Sequence, residues 1–527
     1  MTKKLSASAL SAIALTAGLC LANPVWAGQV TLTSPDGSVD MTGDFVDFRD
    51  NAYIIITSLG EMRVSANRVT CVGADCPSLA PTKAPGVIIG GSDTVGLGLM
   101  PLLLEGYAGA LDAVSTITPT GNGDDILAEM IGGQGFGDEL ASIFVSSTTS
   151  SDGFAKLLSG DIEIGMASRR IRPEEARALR DVGGGNMVSP AQEHIVAADS
   201  LIVITNPENP VTEISKAQLR DIYSGLITNW SQIGGPDLEI MVVQLPAGSG
   251  TRSVFEDRIF GSDEAPAFAT AVLTETNASA SNLVSENEGA IAFVSYAFQR
   301  GATALTLIND CGIATTPDAF SARTEEYDLQ RRLYLYTRED TEGQAAREFL
   351  DFATSEEADT VIGKAGFIGF AVDRRKQSLD DARARSLLNA DVDAYEANFM
   401  RQMLAQMVGY DRLSTTFRFR VGSAQLDARG LIDKERLVNY LAKQPDGTEV
   451  LVVGFTDSIG EFDSNLNLSL QRAGQVADEI SAFAGDRLTN VAISSIGFGE
   501  IAPVSCNDEE DGRRINRRVE VWVKSAT

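Results

Sequence analysis

From residue 86 to residue 372 the chain repeats one pattern: a short apolar run, then glycine or serine, then a stretch with helical spacing. The runs fall at 87–89, 143–145, 162–166, 201–205, 240–244, 290–294 and 333–336. Strands alternating with helices argue for an α/β fold. Small residues between strand end and helix start present helix N-termini along one edge of the sheet. The first helical turn leaves backbone N–H groups without partners in the helix.

The pattern is embedded in a chain of 527 residues, too long for one ordinary core, so a multidomain α/β protein is expected. Residues 28–80 read as a small β unit. Its strand candidates are 30–33, 45–48, 53–57 and 62–64, parted by Pro35-Asp-Gly37 and Asp50-Asn51. Residues 77–86, with three prolines, read as a linker. Residues 373–412 are charged, Ala-rich and free of Gly and Pro until Gly409. Leu379, Ala382, Ala384, Leu387 and Leu388 recur at helical spacing, as do Phe399, Met403 and Met407, so a helical connector is expected. Residues 413–527 form a last α/β unit.

The N-terminus has the marks of a signal peptide over 1–27. Lys3 and Lys4 precede an uncharged apolar stretch, 8–22, and Val25-Trp-Ala27 offers small residues at the cleavage offsets. An uncleaved membrane anchor is the rival. A lipoprotein cut before Cys20 is disfavoured by the bulk of Leu19. Export puts the remaining cysteines in an oxidising compartment. Cys71 and Cys76 enclose a turn-forming sequence and are expected to form a local disulfide; a metal site lacks a second pair or a nearby His. Cys311 and Cys506, far apart in sequence, are read as two buried free thiols ahead of an interdomain bridge.

A formal net charge of -29 repels nucleic acid and anionic membrane surfaces, so neither is expected as a partner. An anion site here must win locally, through backbone N–H groups and a few Arg. HExxH, Walker and GxSxG motifs are absent and the chain has one histidine, His194, so an enzyme is not expected, nor any cofactor.

Near the C-terminus come Leu451-Val-Val-Gly-Phe-Thr-Asp-Ser-Ile-Gly460, Asn465-Leu-Asn-Leu-Ser-Leu-Gln-Arg-Ala473, Gly497-Phe-Gly-Glu500 and Asn516-Arg-Arg-Val-Glu520. Residues 451–453 read as a buried strand with Asp457 on the loop behind it. A helix from about Leu466 has Ala473, Val476, Ala477, Ile480 and Phe483 toward the core. Asn465, Ser469 and Arg472, at i, i+4 and i+7, share another face. Asp457 and Arg472 can thus approach, one to take an ammonium and the other a carboxylate. In order and spacing these elements resemble the OmpA C-terminal domain family over about 110 residues. The resemblance implies non-covalent binding of peptidoglycan, with Asp457 and Arg472 clasping the zwitterionic end of diaminopimelate in the stem peptide. Asn465 and Arg517 match motif positions lining that site. Phe455 departs from the family's usual polar residue before Thr-Asp.

The central region carries Gly90-Gly-Ser-Asp-Thr94, Ser146-Ser-Thr-Thr-Ser-Ser-Asp-Gly153, Gly165-Met-Ala-Ser-Arg169, Gly225-Leu-Ile-Thr-Asn-Trp230 and Gly248-Ser-Gly-Thr-Arg252. Thr94, Ser150 with Ser151, and Gly248-Ser249-Gly250-Thr251 each open a helix, and such N-termini with hydroxyls suit an oxyanion. Over nearly all of 86–372 these motifs resemble the phosphate-binding periplasmic proteins of ABC transporters. The resemblance implies a type II periplasmic binding protein: two α/β lobes, a hinge crossed twice, a ligand in the cleft. It carries the site onto Thr94, Val95, Ser150, Ser168 and residues 248–251. Three positions depart. Ser168 replaces the family's Asp, Leu245 its Arg, and Val95 an aromatic residue, which leaves Arg169 or Arg252 to supply charge. The function expected is capture of an oxyanion, phosphate foremost, by a periplasmic protein moored to the cell wall, with the outer membrane as a further location, that serves an ABC permease. The alternative is an envelope scaffold that uses the fold without a small anion.

Overall fold

The computed structural model describes residues 28–34, 40–49, 52–65, 69–73, 76, 86–120, 124–135, 137–261, 271–340, 343–388, 393–418 and 428–524. The expected signal peptide, most of the linker, and the turns at 35–37 and 50–51 lie outside these residues. The chain forms two compact units, 1–83 and 84–527.

In the first unit, strands β1 (Gln29–Thr33), β2 (Asp40–Arg49), β3 (Ala52–Thr57), β4 (Gly60–Ser65) and β5 (Thr70–Val72) form one antiparallel sheet, in the order β4-β3-β2-β1-β5. Alternation points Val30, Leu32, Tyr53 and Ile55 into a small core. Cys71 and Cys76 are bonded.

In the second unit the apolar runs of 87–336 become strands β6 (Val87–Ser92), β9 (Glu139–Thr148), β10 (Ile164–Ala167), β11 (Glu193–Thr205), β12 (Met241–Gln244), β14 (Ala290–Ser295) and β15 (Gln330–Thr337). Within 86–372, seven strands among the described residues were not anticipated: the hairpin β7 (Val114–Thr120) and β8 (Asp125–Ile131), the two-residue β13 (Val272–Leu273), and four short ones, Glu213–Ser215, Thr303–Ala304, Thr306–Ile308 and Ala314–Thr315. β7 is rich in Thr and Ser, and lies at the sheet's edge half in solvent, so it carries no apolar run to read. The order is β13-β12-β14-β11-β15-β10-β6-β9-β8-β7. β11 is the long member. Its first half, 193–200, pairs with β15, and its second half, 201–205, pairs with β14. The sheet therefore divides into two lobes with separate cores. Ile89, Val145, Met166 and Leu335 lie in one, Leu201, Val242, Phe255 and Phe293 in the other. The chain crosses between them near Ser200 and near Gln330.

The C-terminal sheet holds β16 (Arg374–Lys376), β17 (Asp411–Arg418), β18 (Thr448–Gly454), β19 (Val491–Gly497) and β20 (Arg518–Lys524), in the order β16-β17-β20-β18-β19. The stretch 373–412 is not a free connector. It holds two helices, Ala382–Leu388 and Ala394–Gly409, but β16 ahead of them and β17 behind them belong to the C-terminal sheet. Met400, Met403, Leu404 and Met407 cover that sheet by packing on Val453, Phe455, Phe498 and Trp522. The helical spacing was legible; the partner its apolar stripe needs was not. Leu379 and Leu388 are exposed instead of joining that stripe.

Helix Phe462–Ala484 lies so close to the sheet that a Cβ on Gly454 would sit 2.0 Å from the Ser469 carbonyl oxygen, and one on Gly497 would sit 2.3 Å from the Leu470 nitrogen. Ala473, Val476 and Ile480 are buried beneath it. Phe483, expected in the core, is exposed on the last turn, with the Lys434 ammonium and the Arg487 guanidinium each 5.1 Å from its ring centre. Cys311 and Cys506 are bonded rather than free, which ties the second lobe to the C-terminal domain. Their separation of 195 residues hid this, because sequence distance says nothing of proximity once two domains pack.

Candidate functional site

Three helix starts meet where the lobes face each other. Asp93–Gly96 follows β6, Ser150–Ser159 follows β9, and Gly250–Ile259 belongs to the second lobe. The Thr149 side chain caps the second by accepting from Asp152 N at 3.2 Å, and Ser249 caps the third by accepting from Arg252 N at 3.4 Å. Across the cleft the Thr94 and Thr251 hydroxyls lie 3.2 Å apart. The Ser150 and Ser168 hydroxyls lie 3.4 Å apart, and Ser168 N donates to Ser150 Oγ at 3.1 Å. Gly250 packs against that pair, and Gly248 against Thr149. Thr94, Ser150, Ser168, Ser249 and Thr251 are all buried.

Other candidates point elsewhere. The Val95 side chain belongs to the hydrophobic core of the first lobe. Arg169 is taken by Glu175 at 2.6 Å and donates to Ser151 Oγ at 3.1 Å; Ser151 itself is exposed. Arg252 is held by Glu256 at 2.7 Å and by the Leu245 carbonyl at 3.1 Å. Both arginines are spent on their own neighbourhoods. Leu245 is buried in the core of the second lobe.

The cation in the cleft is one that the motifs do not mark. Arg331 is the second residue of β15 and stands opposite Asp199 of β11 in register, at the point where both strands cross between lobes. The two form a fully buried ion pair at 2.7 Å. Arg331 Nη1 also donates to Thr251 Oγ1 at 2.8 Å, and Asp199 accepts from Ser295 Oγ at 2.9 Å. Beside them Asn277 Nδ2 reaches Thr94 Oγ1 at 3.3 Å and Asp93 Oδ2 at 3.4 Å. Burial pushes the Asp93 carboxyl above the usual carboxylate range, against the pull of the Thr94 N–H, Arg331 and Asn277. The available signal was a pair of charges at the ends of apolar runs, Asp199 just before 201–205 and Arg331 just before 333–336.

The second candidate site lies in the C-terminal domain. Asp457 sits on the loop after β18, nearly buried, with Oδ1 accepting from Ile459 N at 3.2 Å. Its ion-pair partner is Arg517, at 2.7 Å, just beyond helix Glu510–Asn516; Arg517 also donates to Glu510 at 2.6 Å. Arg472 is near enough to feel both. Burial first, and then the Arg517 charge, lower its basicity, while Asp457 acts the other way. Asn465 braces the loop by donating to the Asp457 and Ile459 carbonyls at 3.4 and 3.3 Å and to Glu500. Asn516, fully buried, ties the neighbouring loop by accepting from Val504 N at 2.8 Å and donating to the Ser505 carbonyl at 2.7 Å. Two guanidiniums, Arg472 and Arg517, thus converge on Asp457.

Known proteins agree with both halves. Residues 108–357 match the PBP superfamily domain model, and residues 418–517 match the OmpA family model. The chain carries one domain of each family. Its PBP domain is similar to the phosphate-binding protein PstS of Staphylococcus aureus, 29% identical over 253 residues, which cover 46% of this chain and 74% of that protein. It is also similar to a solved structure from Clostridium perfringens, that of a putative phosphate ABC transporter substrate-binding protein with bound phosphate, 26% identical with a TM-score of 0.42, covering 54% of this chain and 98% of its own. The OmpA domain is similar to the cell wall anchor of the T6SS from Pseudomonas aeruginosa, 28% identical with a TM-score of 0.18, covering 25% and 96%. Among the described residues no helix is long and apolar enough to cross a membrane.

Proposed function

We propose that the protein holds a tetrahedral oxyanion, phosphate foremost, between the lobes of its PBP domain, and is held to peptidoglycan by its OmpA domain. The observation that carries the first half is the meeting of buried hydroxyls and helix starts from both lobes around Arg331. Backbone N–H groups at helix N-termini, neutral hydroxyls and one buried guanidinium are the donor set that a dehydrated anion needs. Arg331 takes the part the family gives to the position of Leu245. Asp93 offers a carboxylate to which a protonated oxyanion can donate and sulfate cannot, a part the family gives to the position of Ser168.

In the OmpA domain Asp457 receives the ammonium of diaminopimelate and Arg472 its carboxylate, with Asn465 and Arg517 lining the site. The protein then resides in the periplasm, on the wall beneath the outer membrane, and hands its ligand to an ABC permease. A second reading, an envelope scaffold, draws on the bond between Cys311 and Cys506, which makes the PBP domain and the wall domain one body.

Titration calorimetry of the full chain with phosphate, arsenate and sulfate separates the two. Heat with phosphate and arsenate, and none with sulfate, is expected. No heat with any of them would leave the scaffold.

A further inference from the structure

The OmpA domain is attached to both lobes of the PBP domain. At one side the chain leaves the first lobe after Phe370 and is already strand β16 of the C-terminal sheet at Arg374. No slack separates them: Asp373 N donates to Ser414 Oγ at 2.9 Å, and Ser414 N to the Asp373 carbonyl at 2.8 Å. At the other side Cys506 is bonded to Cys311, which sits on a turn of the second lobe. Weaker ties follow the same division. Arg436 holds Asp359 of the first lobe at 2.6 Å, with both groups buried, and Asn439 donates to Glu356 there at 2.6 Å. Arg258 of the second lobe meets Asp511 at 3.2 Å, and the segment just ahead of the crossing near Gln330 is held by Arg375 to Asp318 at 2.8 Å, by Arg418 to Glu325 at 3.1 Å and by Arg412 to Glu326.

Opening the cleft means turning one lobe against the other about the crossings near Ser200 and Gln330. That motion must break contacts such as Thr94 with Thr251, and Arg172 Nη2 with Ser253 Oγ at 2.7 Å. In a free two-lobed receptor nothing else resists it. Here a rigid domain with its own sheet and core spans the two lobes through a peptide bond, a disulfide and buried ion pairs. Hinge closure depends on a few residues that absorb a large backbone change, and a third body fixed to both sides removes that freedom.

We propose that the OmpA domain is a clasp across the anion cleft, and that the Cys311–Cys506 bond limits how far the lobes can part and so sets the rate at which the anion enters and leaves. The loop that carries Cys506 runs into the helix that ends at Asn516, just before Arg517, and Ser458 N donates to Asn507 Oδ1 at 3.3 Å. The wall site is thus built on the clasp itself. The proposal rests on the anion reading for its functional meaning, though not for its geometry.

The test uses the full chain, oxidised, against a Cys311→Ser/Cys506→Ser variant. Nitroxides at Glu174→Cys and Leu226→Cys, both exposed and one on each lobe, report the interlobe distance by pulsed electron resonance. Release of radiolabelled phosphate into an unlabelled excess reports exchange. The expected result is one narrow distance in the oxidised protein with or without phosphate. The variant without phosphate should show a longer, broader distribution, and should release phosphate about tenfold faster or more. A six-residue Gly/Ser insertion between Val372 and Asp373, with the disulfide intact, loosens the other tie and must also widen the distribution; it guards against a variant that merely misfolds. The same long distance in oxidised protein and variant, or equal release rates, overturns the clasp. If phosphate does not bind at all, the anion reading fails, while the distance measurement, which needs no ligand, still decides the clasp.

Discussion

Gly250→Ala asks whether the cleft closes as described. Gly250 is the first residue of a helix and its φ is not positive, so alanine meets no backbone obstacle there and is the better helix former. The new Cβ would nonetheless stand 2.4 Å from both Ser150 Oγ and Ser168 Oγ, where real contacts essentially never fall below 3.0 Å. Both hydroxyls must retreat by at least 0.6 Å, the shortfall between those distances. They are fixed to each other and to the Ser168 backbone, so the second lobe yields more easily than the first. One extra methyl in a filled space costs about 1–3 kcal/mol. Because the methyl lies between the lobes and displaces the Ser150 and Ser168 hydroxyls assigned to the anion, that cost falls on the bound form, and phosphate affinity should drop about 5- to 150-fold. Calorimetry of the variant measures the drop, and thermal melting shows whether the lobes stay intact. Affinity within about twofold of the native protein, with an unchanged melt, would refute the reasoning.

Other perturbations have equally definite outcomes. Arg331→Met leaves Asp199 buried without its countercharge and should destabilise the PBP domain by about 3–5 kcal/mol in urea unfolding, with part of the loss recovered in Asp199→Asn/Arg331→Met. Asp457→Ala or Arg472→Ala should leave the protein in the supernatant when purified peptidoglycan is sedimented; unchanged pelleting of both would reject the assignment. His194 lies on β11, 3.2 Å from Thr337 Oγ1, and burial lowers its basicity below the ordinary 6.5, against the pull of Asp351 and the Ala191 backbone. As pH falls through 6.5 the unfolded chain takes up a proton before the native one, so stability is lost over that window. His194→Gln should flatten that part of the urea-midpoint profile, and a profile identical to the native one would contradict the shift.

Much of this could be read from residues in order. The runs that became β6, β9, β10, β12, β14 and β15 were visible because each is short, apolar and bounded by small residues. The segments around Thr94, Ser150 and Gly250 were visible because helix starts need capping side chains. What escaped was of another kind. Arg331 and Asp199 act through a register between strands 132 residues apart, which no local pattern records. Cys311 and Cys506 meet only because two domains pack. Arg169 and Arg252 looked available until their neighbours Glu175 and Glu256 claimed them. The Met-rich stripe of 400–407 announced a helix, while the sheet it covers had to be seen.

The most direct measurement is a crystal structure of the full chain grown with arsenate, with data collected at the arsenic absorption edge. The anomalous peak should lie between the lobes, within hydrogen-bonding distance of the Ser150 and Thr251 hydroxyls and beside Arg331. A cleft without such a peak, or arsenic found only on the protein's surface, would contradict the account.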